Sequence, residues 1–164
     1  MSVDILLVAV GNEGDDRRKS IPLALPTLKA VLLKNGFSSF CIDMSNETIN
    51  HQLISTWLSR HNPKIVAISA TAYEVDRVAR LTSIVKSISI EIPVIAGGYI
   101  SLLPKIVEKT GVDAICVGEG DKTIVELAEV FSQPFVQWNK NLIKVKGIKY
   151  FDQAMNQVVE TAPR

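Results

Sequence analysis

Cysteine and histidine are scarce in this chain, with two of each among 164 residues. Cys41 and Cys116 stand 75 positions apart, so they supply neither a disulfide framework, nor a four-thiolate zinc site, nor the ligands of an iron–sulfur cluster. A surplus of charge is also lacking. Eighteen Lys and Arg against 17 Asp and Glu leave a net charge of +1, which is not the footprint of a protein that neutralises a run of phosphates. No nucleic acid partner is expected. Long hydrophobic runs are absent too: Asp4 interrupts the start, and Ile5–Val10 is six residues long, too short for a signal core or a membrane span. No membrane association and a cytoplasmic location are expected.

What is present is enough apolar material for one core, 47% hydrophobic against 21% charged residues, at the length of a single domain. Compact apolar runs at Ile5–Val10, Ser39–Ile42, Ile65–Ser69, Ile92–Ala96 and Ala114–Val117 read as strands buried on both faces. The gaps between them carry helical spacing. Leu25, Leu28 and Leu32 form one stripe, and Ile49, Leu53, Trp57 and Leu58 another between Glu47 and Arg60. Val78, Leu81, Val85 and Ile88 repeat the pattern, as do Ile124, Leu127, Ala128 and Phe131. The stretch Leu102–Lys109 is the weakest, with Pro104 near its start. The alternation predicts an α/β fold, doubly wound and flavodoxin-like or Rossmann-like, with a five-stranded parallel sheet and helices on both faces over residues 1–132. Residues 133–164 read as a C-terminal β-hairpin and linker. Ile143–Phe151 and Gln157–Glu160 are its strands around a turn near Asp152–Asn156, with Lys140, Lys144, Lys146 and Lys149 on a solvated side.

In open sheets of this kind, ligands lie beyond the carboxyl ends of the strands. Five turns therefore matter most: Gly11-Asn12-Glu13-Gly14, Asp43-Met44-Ser45, Ser69-Ala70-Thr71-Ala72-Tyr73, Gly97-Gly98-Tyr99 and Gly118-Glu119-Gly120-Asp121. Ser69 and Thr71 offer short hydroxyls, and Gly97 and Gly98 let backbone approach a ligand closely. Ordinary turn chemistry explains any one of these alone; three on one edge predict a slot, which a large residue at Gly98 is expected to fill without unfolding the chain. Glu119 and Asp121 are accounted for by the helix N-terminus that follows, where Asp121 helps cap. His61 falls at a helix end that favours a cation, and His51 lies at the edge of an apolar stripe. Cys41 and Cys116 sit in apolar runs as core thiols. The charged run Glu13–Lys19 sums to zero and reads as a solvated loop. No catalytic or metal-ligating residue stands out.

Read in order, a set of segments carries a resemblance. Ile5–Val10, Pro22 ahead of Leu28–Gly36, Asp43, Ile68-Ser69-Ala70-Thr71, Val94–Gly98, Asp113–Asp121 and Gly147–Tyr150 leading to Pro163-Arg164 resemble the N-terminal cobalamin-binding domain of cobalamin-dependent radical S-adenosylmethionine enzymes. The 28 residues from Ser69 to Gly97 are similar to the spacing between the serine and Gly-Gly elements of the broader cobalamin-binding fold. The resemblance implies that the corrin ring lies over Gly11, Asn12 and the turn of Thr71, Ala72 and Tyr73. It implies that the nucleotide tail enters between Ser69/Thr71 and Gly97/Gly98, with Tyr99, Gly118, Glu119 and Gly120 beside it. The wider family places a histidine on cobalt from an Asp-x-His-x-x-Gly motif after the first strand. Gly11–Ser20 has no histidine, so the expected cobalamin is base-off without a protein histidine ligand. Tyr99 departs from relatives that carry His near this point; it either stacks on the cofactor's base or packs on its own helix.

The same resemblance implies methyl transfer or radical chemistry performed by a partner radical S-adenosylmethionine domain, which would hold the iron–sulfur cluster and S-adenosylmethionine. Two distant cysteines cannot build that domain's cluster motif, so the chain is expected to be an excised domain or a stand-alone carrier. A phosphate-accepting receiver would need an aspartate where Ser69-Ala70-Thr71 stands. A flavin carrier would want a Ser/Thr/Gly phosphate loop in place of the long charged turn after the first strand. A non-catalytic interaction platform without cofactor remains compatible with the residues.

Overall fold

The computed structural model describes residues 2–11 and 23–164. Asn12, Pro22 and the charged run between them lie outside the described residues. Seven strands form one sheet: β1 (Ile5–Ala9), β2 (Ser39–Asp43), β3 (Ile65–Ser69), β4 (Val94–Gly97), β5 (Ala114–Cys116), β6 (Ile148–Asp152) and β7 (Gln157–Glu160). Their order is β2-β1-β3-β4-β5-β6-β7. The first five pair in parallel, and β6 and β7 add antiparallel strands. The predicted five-stranded parallel sheet with its flavodoxin-like order is therefore present, and the C-terminal hairpin extends it.

Helices cover both faces. Along β1, Leu6 and Val8 join one core with residues of α2 (His51–His61), α3 (Val75–Ile88) and α4 (Ile106–Thr110). Ile5, Leu7 and Ala9 join the other with α1 (Ala24–Lys34), α5 (Gly120–Phe131) and α6 (Trp138–Leu142). That double burial is why the strand reads as an unbroken apolar run rather than an alternating one. Each fully buried leucine or isoleucine contributes roughly 1.5–3 kcal/mol of transfer free energy.

Local chemistry sets the helix ends. Asn50 caps α2 by accepting the Leu53 N–H at 2.9 Å, and Asn62, in the left-handed region at φ 40°, ends it. The helix thus starts at His51 rather than near Glu47, because the cap lies at Asn50. At the C-terminus of α1, the Asn35 side chain donates to the Val31 carbonyl and Gly36 turns the chain at φ 84°.

The C-terminal region departs most from expectation. Ile143 is not in a strand, and β6 begins at Ile148. Trp138, Leu142 and Val145, at helical spacing, are buried on the α5 side. Trp138 meets Phe131 edge-on at 4.8 Å, and its indole N–H donates to the Gln133 carbonyl at 2.9 Å. Gly147, at φ 71°, turns the chain into β6. Lys149 is the one member of the lysine series that lies in the hairpin, where it pairs across the strands with Glu160 at 3.6 Å.

Candidate functional site

The register across the carboxyl edge explains where space opens. Ala9 stands opposite Ser69, and Ser69 opposite Gly97, while a Cβ on Gly97 would lie 3.2 Å from the Cys116 Cβ. Across these strands the last position facing α1 and α5 is therefore small. The helices ride on the large residues further down, and a cavity of about 330 Å³ remains above the row. Leu25, Thr27 and Leu28 of α1 form one wall, and Gly120, Asp121 and Ile124 of α5 the other. Its floor includes Leu7, Ala67, Ser69, Ile95, Gly97 and Cys116, with Gly98 and Gly118 at the strand ends. A slot of this size with apolar walls and few polar groups falls in the range of small-molecule sites.

Ser69, Gly97, Gly98, Gly118 and Gly120, all anticipated from sequence, line this slot. Asn12 lies outside the described residues, and the remaining anticipated residues are not part of the lining. Gly11, at φ 52°, ends the β1 segment so close to the β2 turn that a Cβ there would lie 2.6 Å from Ser45 Cα. Thr71, Ala72 and Tyr73 form the short helical turn after β3, and Tyr99 begins the one after β4. Tyr73 is 86% exposed and Tyr99 74%, so the Tyr99 ring does not pack on its own helix. Glu119 occupies the cap position of α5 without a side-chain bond, and Asp121, in the first turn, is among the residues lining the slot.

Two details change the role of sequence-selected residues. Gly98 adopts φ 92°, and a Cβ there would meet the Ala70 carbonyl oxygen at 2.6 Å. A side chain at Gly98 therefore disturbs the backbone as well as the slot, contrary to the expectation of a clean filling. Thr71 and Glu74 occupy capping-box positions. The Glu74 carboxylate completes its half by accepting the Thr71 N–H at 2.7 Å, whereas the Thr71 hydroxyl is buried without a bond of full hydrogen-bond geometry.

Neutral chemistry dominates the slot. Burial pushes the Cys116 thiol up to about 12, so at neutral pH it is a protonated, unreactive wall group. Cys41 is half-buried, and its thiol is also raised by burial. His61 corrects the expectation of a helix-end cation: it is buried, stacked on Phe40 at 4.2 Å, and held below the ordinary histidine range, first by desolvation and then by Arg60. No histidine lines the slot. Among the described residues, no cluster of three His, Cys, Asp or Glu is placed to hold a metal ion. No described helix is long and apolar enough to cross a membrane.

Sequence reading missed Cys116 as a slot residue, along with the walls supplied by Leu25, Leu28 and Ile124. The signal available was strand alternation, which puts Ala67, Ser69 and the end of β5 on one face.

The order of strands and the slot at their carboxyl edge define a doubly wound α/β domain with a largely apolar cavity between α1 and α5. The family described as B12 binding domain matches residues 17–128, and the chain belongs to that family. No curated protein matches it in sequence. Among solved structures, it is similar to TsrM from Kitasatospora setae, a radical S-adenosylmethionine methyltransferase with cobalamin and a [4Fe-4S] cluster bound. That match has 21% identity and a TM-score of 0.78, covering 99% of this chain and 29% of that one. It is also similar to OxsB, a cobalamin-dependent S-adenosylmethionine radical enzyme with aqua-cobalamin and S-adenosylmethionine bound. There the identity is 22% and the TM-score 0.80, covering 99% of this chain and 22% of that one. The likeness is one of fold, and this chain spans less than a third of either protein.

Proposed function

We propose that this chain holds cobalamin base-off, with the nucleotide tail in the slot between α1 and α5 and the corrin ring over the turns after β1 and β3. The observation that carries this reading is the slot itself. Its apolar walls match a benzimidazole-type ring, Ser69 offers a hydroxyl at its floor, and the Ala9–Ser69–Gly97 row makes the room. Gly118, Glu119 and Gly120 border the tail, while Gly11, Asn12, Thr71, Ala72 and Tyr73 face the ring. Tyr99, exposed directly after Gly98 of the slot, stacks on the part of the cofactor that emerges.

The absence of histidine between Gly11 and Ser20 supports a cobalt without a protein imidazole beneath it. Bound corrinoid supplies methyl-transfer or radical chemistry. Residues 1–132 hold it, residues 133–164 extend the sheet with antiparallel strands, and the chemistry is completed with a catalytic partner. That partner is a radical S-adenosylmethionine domain, which provides the iron–sulfur cluster and S-adenosylmethionine.

The test is retention. The purified chain is mixed with hydroxocobalamin, freed of excess ligand by gel filtration, and its absorption spectrum recorded; a parallel sample receives flavin mononucleotide. Near-stoichiometric cobalamin with no flavin supports the assignment. Flavin retention alone, or retention of neither, contradicts it.

A further inference from the structure

Three turns of the carboxyl edge are tied to one place, the first turn of α3. Arg77 reaches out of that helix and donates through Nε to the Val10 carbonyl at 3.1 Å. Its Nη2 donates to the Met44 carbonyl at 2.8 Å and the Glu47 carbonyl at 2.9 Å. One guanidinium thus joins the end of β1 to the turn after β2. Three residues earlier, at the N-cap of α3, the buried Glu74 accepts the Thr71 N–H of the turn after β3 at 2.7 Å.

The position of these bonds gives them more than a packing role. Val10 immediately precedes Gly11, whose backbone lies against Ser45, in the segment between Met44 and Glu47. Ser45 is itself fixed by the Asp43 carboxylate, which accepts both its N–H at 3.0 Å and its hydroxyl at 2.5 Å. The chain leaving β1 therefore starts from a point set by Arg77 and by the β2 turn. A guanidinium is suited to this task because its planar fork reaches several carbonyls in different directions, which a lysine ammonium on a flexible stem does not reproduce.

We infer that Arg77 is a positioning residue of the corrinoid site: by tying the end of β1 to the turn after β2, it fixes the β1 side of the rim under the ring without touching the tail slot. This rests on the cobalamin reading above. It separates the site into two parts with different ligand signatures, a slot that senses the nucleotide tail and a rim, held by Arg77, that senses the ring. Removing the clamp is expected to speed release of any corrinoid by roughly 10–100-fold, by analogy with the loss in affinity when partners that orient metal ligands are removed.

The experiment measures dissociation rates of cobalamin and of cobinamide, which lacks the nucleotide tail, from the wild-type chain and from Arg77→Ala and Arg77→Lys. Thermal unfolding of the ligand-free proteins is recorded alongside. Both variants are expected to release both corrinoids faster, by similar factors. Millimolar guanidinium chloride, but not sodium chloride at equal ionic strength, is expected to slow release from Arg77→Ala. A general loss of stability would not respond in this way, because guanidinium otherwise weakens folded proteins. If Arg77→Ala does not fold, Arg77→Lys carries the test. Unchanged release rates, faster release of cobalamin alone, or absence of rescue where Arg77→Ala folds would overturn the inference. A wild-type chain that retains neither corrinoid would overturn the cobalamin reading and the inference with it, an outcome distinct from normal wild-type binding with indifferent variants.

Discussion

Filling the slot from Gly120 separates tail binding from everything else the domain does. Gly120 is the first residue of α5, has no positive φ, and a Cβ added there would sit 3.6 Å from Leu28 Cδ2, in ordinary contact across the slot. Gly120→Leu therefore places its side chain between α5 and α1 without backbone strain. It also replaces glycine by a residue that favours a helix by about 0.8 kcal/mol, so the ligand-free protein should unfold at the same temperature or slightly higher. The loss in binding follows from the area denied to the tail. An aromatic group of this kind buries about 150 Å², worth about 4 kcal/mol at 25 cal/mol per Å². That is roughly a thousandfold in affinity at 1.4 kcal/mol per decade; contacts retained at the rim reduce it to about a hundredfold or more. Spectrophotometric titration with cobalamin and cobinamide reads the effect. Cobalamin should weaken by that factor and cobinamide by less than about threefold, since it has no tail to exclude. Equal weakening of both, or undiminished cobalamin binding, would refute the placement of the tail.

Other substitutions test the surrounding framework. Gly98→Ala meets the Ala70 carbonyl at a positive φ and should cost about 2 kcal/mol, lowering the melting temperature by about 4–8 °C; an unchanged melting curve would contradict the geometry. Asp4 is held down at about 2 by hydrogen bonds from Lys64 and then Ser38, so its stabilisation is present above pH 3.8 and is lost as pH falls toward 2. With Lys64 largely exposed, Asp4→Asn should cost only about 1 kcal/mol at neutral pH, a difference that denaturant titrations should find vanishing near pH 2. His61 resists protonation when folded, so stability should fall as pH drops below 6.5, where the unfolded chain takes up the proton; His61→Leu should flatten that part of the profile. Iodoacetamide at neutral pH should label Cys41 before Cys116, because burial holds the Cys116 thiol near 12; prior labelling of Cys116 would show that the slot wall opens.

The parallel half of the sheet was legible because each of its strands is buried on both faces and each helix presents a single apolar stripe. Glycines and short hydroxyls at the strand ends marked the slot for the same reason: the chain must be small where the helices do not reach. The stretch Ile143–Gly147 was misread as the start of a strand because the spaced lysines around it imitate a half-wet strand, while the burial of Trp138, Leu142 and Val145 follows a helical period and Trp138 packs on Phe131. Gly98 was recognised as a point of close backbone approach, but that its neighbour is the Ala70 carbonyl was not, since this depends on how the turns after β3 and β4 stack. Arg77 was invisible in sequence, as the carbonyls of Val10, Met44 and Glu47 that it bonds lie 30 to 67 residues away.

Electron paramagnetic resonance of the retained cofactor, reduced to cobalt(II), tests the account most directly. A tail seated in the slot and no imidazole beneath the metal predict stoichiometric cobalamin whose cobalt lines carry no nitrogen splitting. Failure to retain cobalamin, or a spectrum split by an axial nitrogen, would contradict it.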